Sequence, residues 1–489
     1  MPPASKINNV FFLIFGQGIN FVFNLLMLPI TIRQLSLNDY GVYSQVVMVT
    51  ATLYAILSFG VTSGIIVFFN RNKKYSQNIL LNILLAIIVF LTLVYVFLCL
   101  FHTPIETALH TTNLWFFLRF FYFSILFQIA IDLFYAYFIF FQKIKLASYL
   151  TVITNVFRLS FIFVAIVTTH NLQYIFGAQL LSLVLCASVY FYFFKSKHIF
   201  LNFKYNASII TSVFKLCIPL SLTGIIGTLL IQTDGYLVNY YLGKNEFAIY
   251  RSGAFEIPFL STVYSSISLI FFPEIKQLLY DKNYERIIML KRKIIFNSSL
   301  LIYPLIIVFL FFGNELIATY LGNRFVRSAA VFVGYNLILF IRINDYSDVL
   351  TLTHQTKFIF LVYGVAFVLN LILGSYFVNI FGLVGPVYAT FIAILFIAIA
   401  QLHKVTSILT TNIVYFFNFY KVVLTLIANV ALIWLVYLFF FKLNFPNAIQ
   451  ILGTIITYLA IHFFIIFKFS IIDSSITTKI KSILHKKWV

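Results

Sequence analysis

Charge is what this sequence has least of. Asp, Glu, Lys and Arg make up 9% of its 489 residues, and only 13 are acidic, where soluble domains carry about 25% charged residues. So little charge cannot clothe a water-facing surface, which excludes a soluble globular protein. Cysteine is also scarce. Cys99, Cys186 and Cys217 fall within or beside apolar runs and form no CxxC pair, which excludes a disulfide framework and a cysteine zinc site. The eight histidines include no pair at i, i+4, so the spacing of a helical metal site is missing too.

Apolar residues take the place of charge, at 62% of the chain. They come in runs of about 20 residues, the length that crosses a bilayer core as helix. An outer-membrane barrel would instead show short alternating segments. The pattern therefore predicts an all-α polytopic integral membrane protein with about fourteen transmembrane helices. After Lys6 comes an apolar run without a small-residue cleavage site, which reads as a retained first helix rather than a signal peptide.

The net charge of +20 would suit nucleic acid if it were clustered on one surface, but its distribution points elsewhere. Basic residues gather in alternate connections: Arg71–Lys74, Lys143 with Lys145, Lys195–Asn206, Glu274–Lys293, Lys357 and the tail from Lys479. Alternation of this kind is the positive-inside rule, and it predicts both termini in the cytoplasm and no nucleic-acid partner. The opposite loops hold five basic residues, Arg33, Lys244, Arg324, Arg327 and Lys442, and none is long enough to fold as a catalytic domain. The polar stretch Glu274–Lys293 reads as an interfacial amphipathic helix against anionic lipid.

One motif occurs twice. LSLNDYGVY (Leu35–Tyr43) and LGKNEFAIY (Leu242–Tyr250) lie 207 residues apart, each joining one apolar run to the next. Internal duplication is a mark of transporters, and six intervening helices give both halves the same orientation, related by a pseudo-two-fold axis along the membrane normal. The organisation predicted is a lobe over residues 1–206 (helices 1–6), a second over 207–404 (helices 7–12), and residues 405–489 as two further helices and a basic tail.

Charges inside the spans are expensive, at about 2.5 to more than 10 kcal/mol each, and usually face a bundle interior or wet cavity. Here they are Arg119, Asp132, Arg158, Asp234, Arg251, Glu256, Arg342, Asp345 and Asp348, with Lys215 and Lys421 near span ends. The last three of the nine stand at i, i+3, i+6, which predicts one helical stripe. One reading makes these residues internal ion pairs that fix helix register, Arg342 with Asp345 for instance. The other makes them a binding cavity: arginines for a phosphate-bearing solute, which guanidinium grips through paired hydrogen bonds, and carboxylates for a coupling proton or cation. Pro29, Pro219 and Pro258 interrupt helices where bending would serve a transport cycle.

The run Ile218–Tyr250 resembles the seventh-helix signature of bacterial polysaccharide-export flippases: Pro219 opens the helix, Asp234 lies within it, and Leu242, Gly243, Glu246, Ala248 and Tyr250 form the following turn. LSLNDYGVYSQ and FGLVGPVYAT (Phe381–Thr390) are similar to that family as well. The family is the Wzx-type lipid-linked oligosaccharide flippases, within the superfamily that holds MATE-type multidrug exporters. The resemblance implies a two-lobed bundle with alternating access and no enzymatic activity. It implies an undecaprenyl-pyrophosphate-linked repeat unit carried from the cytoplasmic to the periplasmic leaflet of a bacterial inner membrane. Arg251, Arg119, Arg342 and Arg158 are then the candidates for pyrophosphate and sugar. Asp234, Glu256, Asp132, Asp345 and Asp348 are those for coupling to H+ or Na+. No cofactor or metal is implied; the partners are the lipid-linked substrate, membrane lipids and a polysaccharide polymerase or export machinery. Two alternatives stay open: a cation-coupled drug exporter of the same fold, and a membrane polysaccharide polymerase. A polymerase would tend to carry a large outer loop and lack a duplicated lobe.

Overall fold

The computed structural model describes residues 23, 25–58, 60, 61, 65, 69, 76–108, 114–194, 204–256, 271–344, 346–417, 419–443 and 445–468. All regular structure among them is helical. The principal helices are α1 (Leu25–Gln34), α2 (Leu37–Leu57), α3 (Ser76–Leu100), α4 (Leu114–Phe140), α5 (Ile144–Thr169), α6 (Leu172–Phe194) and α7 (Ala207–Leu242). The second series is α8 (Lys244–Gly253), α9 (Tyr284–Leu321), α10 (Ser328–Leu337), α11 (Thr356–Phe381), α12 (Gly385–Ile408), α13 (Phe419–Lys442) and α14 (Asn447–Lys468). Among the described residues nine segments are long and apolar enough to cross a membrane, one of them, Thr356–Ile408, spanning α11 and α12 together. The protein is thus polytopic and all-α. The FGLVGP turn falls between those two helices as the 3-10 turn Gly382–Val384.

Packing divides the chain into two compact units, residues 1–252 with 367–386, and residues 253–366 with 387–489. These units are defined by contact and the lobes by duplication, and the two divisions need not coincide. In the first unit the core is built from α2–α7, with Ile129, Leu133 and Phe138 of α4 meeting Leu183, Cys186 and Tyr190 of α6. In the second, α9 supplies the central face, Ile287 through Ile306, to which Ile343, Val349, Leu402 and Val405 pack. Further along α9, Ile307, Val308 and Phe312 meet Ile433 of α13 and Tyr458 of α14. Polar contacts fix that docking: Tyr458 donates to Asn429 at 2.8 Å, and a ring nitrogen of His462 lies 2.9 Å from the Leu300 carbonyl oxygen.

The duplicated motif sits inside the first unit. Ser36 caps α2, accepting from the Asp39 N–H at 3.0 Å while its hydroxyl donates to the Asp39 carboxylate at 2.5 Å, which satisfies one otherwise orphaned backbone donor. Asp39 also brings negative charge to the positive end of the helix dipole. The two copies touch. A Cβ placed on Gly41 would lie 2.8 Å from the Lys244 carbonyl oxygen and 3.7 Å from Ala248 Cβ. Gly41 and Ala248 are the same position in the two copies, and like meeting like is the contact expected beside a two-fold axis. Gly41→Val is therefore expected to destabilise by about 1–3 kcal/mol, since added methyls at a backbone contact force the helices apart. A lowered unfolding midpoint in detergent checks it.

Three sequence expectations change. Glu274–Lys293 is not one interfacial helix: residues 271–280 form a helix of their own, a turn follows, and Tyr284–Lys293 are the first turns of α9. Asn283 starts that helix by accepting from the Arg286 N–H at 3.2 Å, so LKRK continues a 38-residue helix. The eighth span, read as running from Phe247 to Phe272, leaves the helix after Gly253. The tenth, read as Val326–Leu350, breaks after the 3-10 turn Ile338–Phe340 and resumes only as the short helix Asp348–Leu352.

Candidate functional site

In the first unit, a half-open cavity of about 380 Å³ lies between α4, α5 and α6, lined in similar measure by polar and apolar groups. Gln128, Asp132, Thr151, Asn155, Arg158 and Tyr190 line it. Helical period explains the placement: Gln128 and Asp132 are one turn apart on α4, as Thr151, Asn155 and Arg158 are on α5. Asp132 accepts from the Tyr54 hydroxyl of α2 at 2.5 Å and from Gln128 Nε2 at 3.1 Å. Arg158 holds no ion pair or hydrogen bond among the described residues, although it lies within electrostatic range of Asp132. Opposite charges thus share one cavity without being spent on each other.

Arg251 stands in the last turn of α8. Tyr43 is within electrostatic range of both Arg158 and Arg251 and stacks on Phe176 with ring centroids 5.6 Å apart. The second motif copy thereby presents its arginine toward the tyrosine that closes the first. Arg119 is exposed near the start of α4.

A second polar seam runs through the same unit along α7. Asp234 is fully buried and accepts from Asn370 Nδ2 of α11 at 3.2 Å, while that amide also reaches the Leu230 carbonyl at 3.0 Å. Tyr236 donates to Thr52 at 3.1 Å and Gln45 donates to Asn239 at 2.5 Å. A carboxylate at zero exposure among apolar helices is costly in its charged form, and the Asn370 amide offsets part of that cost. Asn370 and Gln45 carry no charge, and nothing in the sequence marked them as partners.

The second unit holds Glu256 and Arg342, which form an ion pair with Nη1–Oε1 at 2.5 Å. Both lie on irregular backbone, Glu256 just past the end of α8 and Arg342 just past the 3-10 turn. The ends are drawn together by close backbone approach: a Cβ on Gly253 would meet the Ser328 carbonyl oxygen at 2.2 Å. Asn336 of α10 donates to the Phe332 carbonyl at 2.8 Å and to that of Phe255 at 3.5 Å. Irregular backbone at membrane depth is tolerated only where protein or a wet cavity surrounds it, and transporters build their sites from such broken helices.

The stripe expected of Arg342, Asp345 and Asp348 does not form between Arg342 and Asp348, because residues 341–344 and 346–347 are not helical. Arg342 turns to Glu256 instead. Asp348 is buried in an ion pair with Lys291 of α9, which also donates to Asn344 Oδ1 at 3.2 Å. Asp348 further accepts from the Val349 N–H at 2.6 Å. Lys291 was not among the residues the sequence singled out, since LKRK has the composition of a cytoplasmic turn. Asp345 and Pro258 lie outside the described residues. Pro29 falls within α1 and Pro219 within α7. A further bend, at Phe312 of α9 (φ −118°, ψ 17°), precedes Gly313 and follows Pro304. No group of three or more His, Cys, Asp or Glu with metal-holding geometry occurs among the described residues.

An apolar helical bundle with broken helices and charges of both signs in its interior has the architecture of a membrane transport protein. Residues 7–279 match the polysaccharide biosynthesis protein family, and the chain belongs to that family. It is similar to the capsular polysaccharide biosynthesis protein CapF of Staphylococcus aureus, 22% identical over 311 residues, 63% of this chain and 75% of that one. Its fold is that of lipid II flippase MurJ in an inward closed conformation (TM-score 0.74, 15% identity, 95% of this chain and 100% of that one). It is also similar to a MATE-family multidrug resistance transporter of the MOP superfamily in an inward-facing conformation (TM-score 0.61, 14% identity, 80% and 96%). The resemblance to Wzx-type flippases, carried by the turn motifs and the helix order, is borne out at the level of family and fold. Both are those of transporters rather than enzymes.

Proposed function

We propose that this protein is a flippase for an undecaprenyl-pyrophosphate-linked oligosaccharide repeat unit, moving it from the cytoplasmic to the periplasmic leaflet by alternating access. The observation that carries the reading is the cavity of the first unit, where Arg158 and Asp132 share a lining without pairing. Ion pairs that merely fixed register would neutralise one another. Membership of a polysaccharide biosynthesis family and a fold shared with a protein named as a lipid II flippase support a lipid-linked saccharide as cargo.

In this reading Arg251 meets the pyrophosphate and Arg158 the sugar, with Arg342 and Arg119 as further cations toward the substrate. Asp234 and Glu256 are the leading groups for coupling to H+ or Na+, with Asp132 beside them. Asp348, held by Lys291, serves structure. Pro29 and Pro219, with the bend at Phe312, absorb helix movement. The protein resides in the inner membrane with both termini cytoplasmic, two lobes meeting at residue 206, and hands its cargo to a polysaccharide polymerase or export machinery.

The test uses the purified protein in proteoliposomes with a fluorescent undecaprenyl-pyrophosphate oligosaccharide and a membrane-impermeant quencher, with and without an imposed ion gradient. Protein-dependent leaflet exchange is expected, reduced roughly tenfold by Arg251→Ala, as for a lost charge-assisted contact worth about 1.5–3 kcal/mol. Asp234→Asn is expected to abolish the response to the gradient. Absence of exchange together with efflux of cationic dyes would replace this reading with a drug exporter.

A further inference from the structure

We infer that the cavity between α4, α5 and α6 binds an acidic sugar, a pyranose carrying a carboxylate, by pairing that carboxylate with Arg158 and sugar hydroxyls with Asp132. The inference rests on the flippase reading for its biological setting and adds the chemical class that this site selects.

The charge arrangement points to that ligand. Arg158 forms no ion pair or hydrogen bond among the described residues, and with Asp132 only within electrostatic range its guanidinium keeps its donors for an oxyanion. Guanidinium binds carboxylate bidentately. Asp132 lines the same cavity and is steadied by Tyr54 and Gln128. A carboxylate has about four lone-pair sites, so those two donors leave capacity for hydroxyl donors. A ligand satisfying both groups therefore offers one negative charge and several hydroxyls. A pyrophosphate would bring two or more negative charges beside Asp132, and like charges at close range in a low-dielectric interior repel strongly. A neutral sugar would leave Arg158 unmet.

The remaining lining suits a pyranose. Thr151 and Asn155 supply uncharged donors and acceptors, and Tyr135 supplies a ring whose face can cover the apolar C–H side of a sugar. The volume of about 380 Å³ lies within the range of small-molecule pockets, about 300–1,000 Å³. It holds one ring with its substituents rather than a whole repeat unit.

The experiment is saturation-transfer NMR on the full-length protein in lipid nanodiscs, with glucuronate, glucose and inorganic phosphate as probes. Glucuronate is expected to receive saturation, with glucose roughly tenfold weaker, as for loss of one charge-assisted hydrogen bond. Arg158→Gln is expected to abolish the glucuronate signal, and Arg158→Lys to keep part of it. Asn155→Leu, near-isosteric and charge-neutral, is expected to weaken binding at an unchanged unfolding midpoint, so the inference stands or falls even where Arg158→Gln misfolds. Equal signals from glucose and glucuronate, or a glucuronate signal indifferent to Arg158→Gln and Asn155→Leu, overturn it. So does displacement of glucuronate by phosphate at lower concentration than glucuronate itself requires, which would make this a phosphate site. Leaflet exchange is measured separately: glucuronate binding without exchange removes the flippase reading and leaves the sugar site, and exchange without binding does the reverse.

Discussion

Lys291→Met is expected to destabilise the protein by about 3–5 kcal/mol, the range for removing one partner of a buried ion pair. The Lys291 and Asp348 side chains are 1% and 2% exposed, so without the ammonium the carboxylate loses its charge-assisted partner at a buried position. The loss should appear as a large fall in the unfolding midpoint in detergent. The double variant Lys291→Met with Asp348→Leu is expected to recover most of it, because apolar residues of similar volume often replace a buried pair at little cost. A double variant no better than Lys291→Met would show that Lys291 does something other than neutralise Asp348. The position explains why the fold keeps the pair. Asp348 begins the helix Asp348–Leu352 after a break in the backbone, and Lys291 lies seven residues into α9, so their bond ties a segment with few helical hydrogen bonds to the longest helix among the described residues.

That segment also marks the limit of what the sequence made legible. Apolar runs announced the helices, because a bilayer demands long apolar stretches whatever their packing. FGLVGP, similar to the flippase family's sequence, falls at the turn between α11 and α12. The break over residues 341–344 and 346–347 carried no such mark. It contains neither proline nor glycine, and its residues leave the helix because Arg342 finds Glu256 and Asp348 finds Lys291, partners 86 and 57 positions away. Helical periodicity placed Arg342 and Asp348 on one stripe; tertiary pairing sent them to different partners. The candidate site follows the same division. The charged residues were visible as charges in apolar surroundings, and Asp132 and Arg158 do share a cavity. Their uncharged collaborators, Tyr54, Gln128, Asn155 and Asn370, looked like any other polar residue of a membrane helix.

Exchanging the charges of Glu256 and Arg342 is expected to separate a clasp from a binding site. Their side chains are 21% and 27% exposed, and a pair that is neither fully buried nor free contributes about 1 kcal/mol to stability. Arg342→Ala should therefore lower the unfolding midpoint only slightly. Its effect on leaflet exchange is expected to be at least about tenfold, equivalent to about 1.4 kcal/mol in the rate-limiting step, since the guanidinium is one of the cations proposed to meet the substrate. In the exchanged variant, Glu256→Arg with Arg342→Glu, the attraction is restored with its polarity reversed. If the pair only held the broken ends of α8 and α10 together, exchange of the lipid-linked substrate would return with the contact. We expect stability to match the wild type while translocation stays low, because a carboxylate at position 342 repels the anionic headgroup that arginine attracts. Recovery of translocation in the exchanged variant would remove Arg342 from the substrate path and leave the pair as a fixture of the fold. The comparison uses two readouts on one protein, so a folding defect cannot pass for a transport defect.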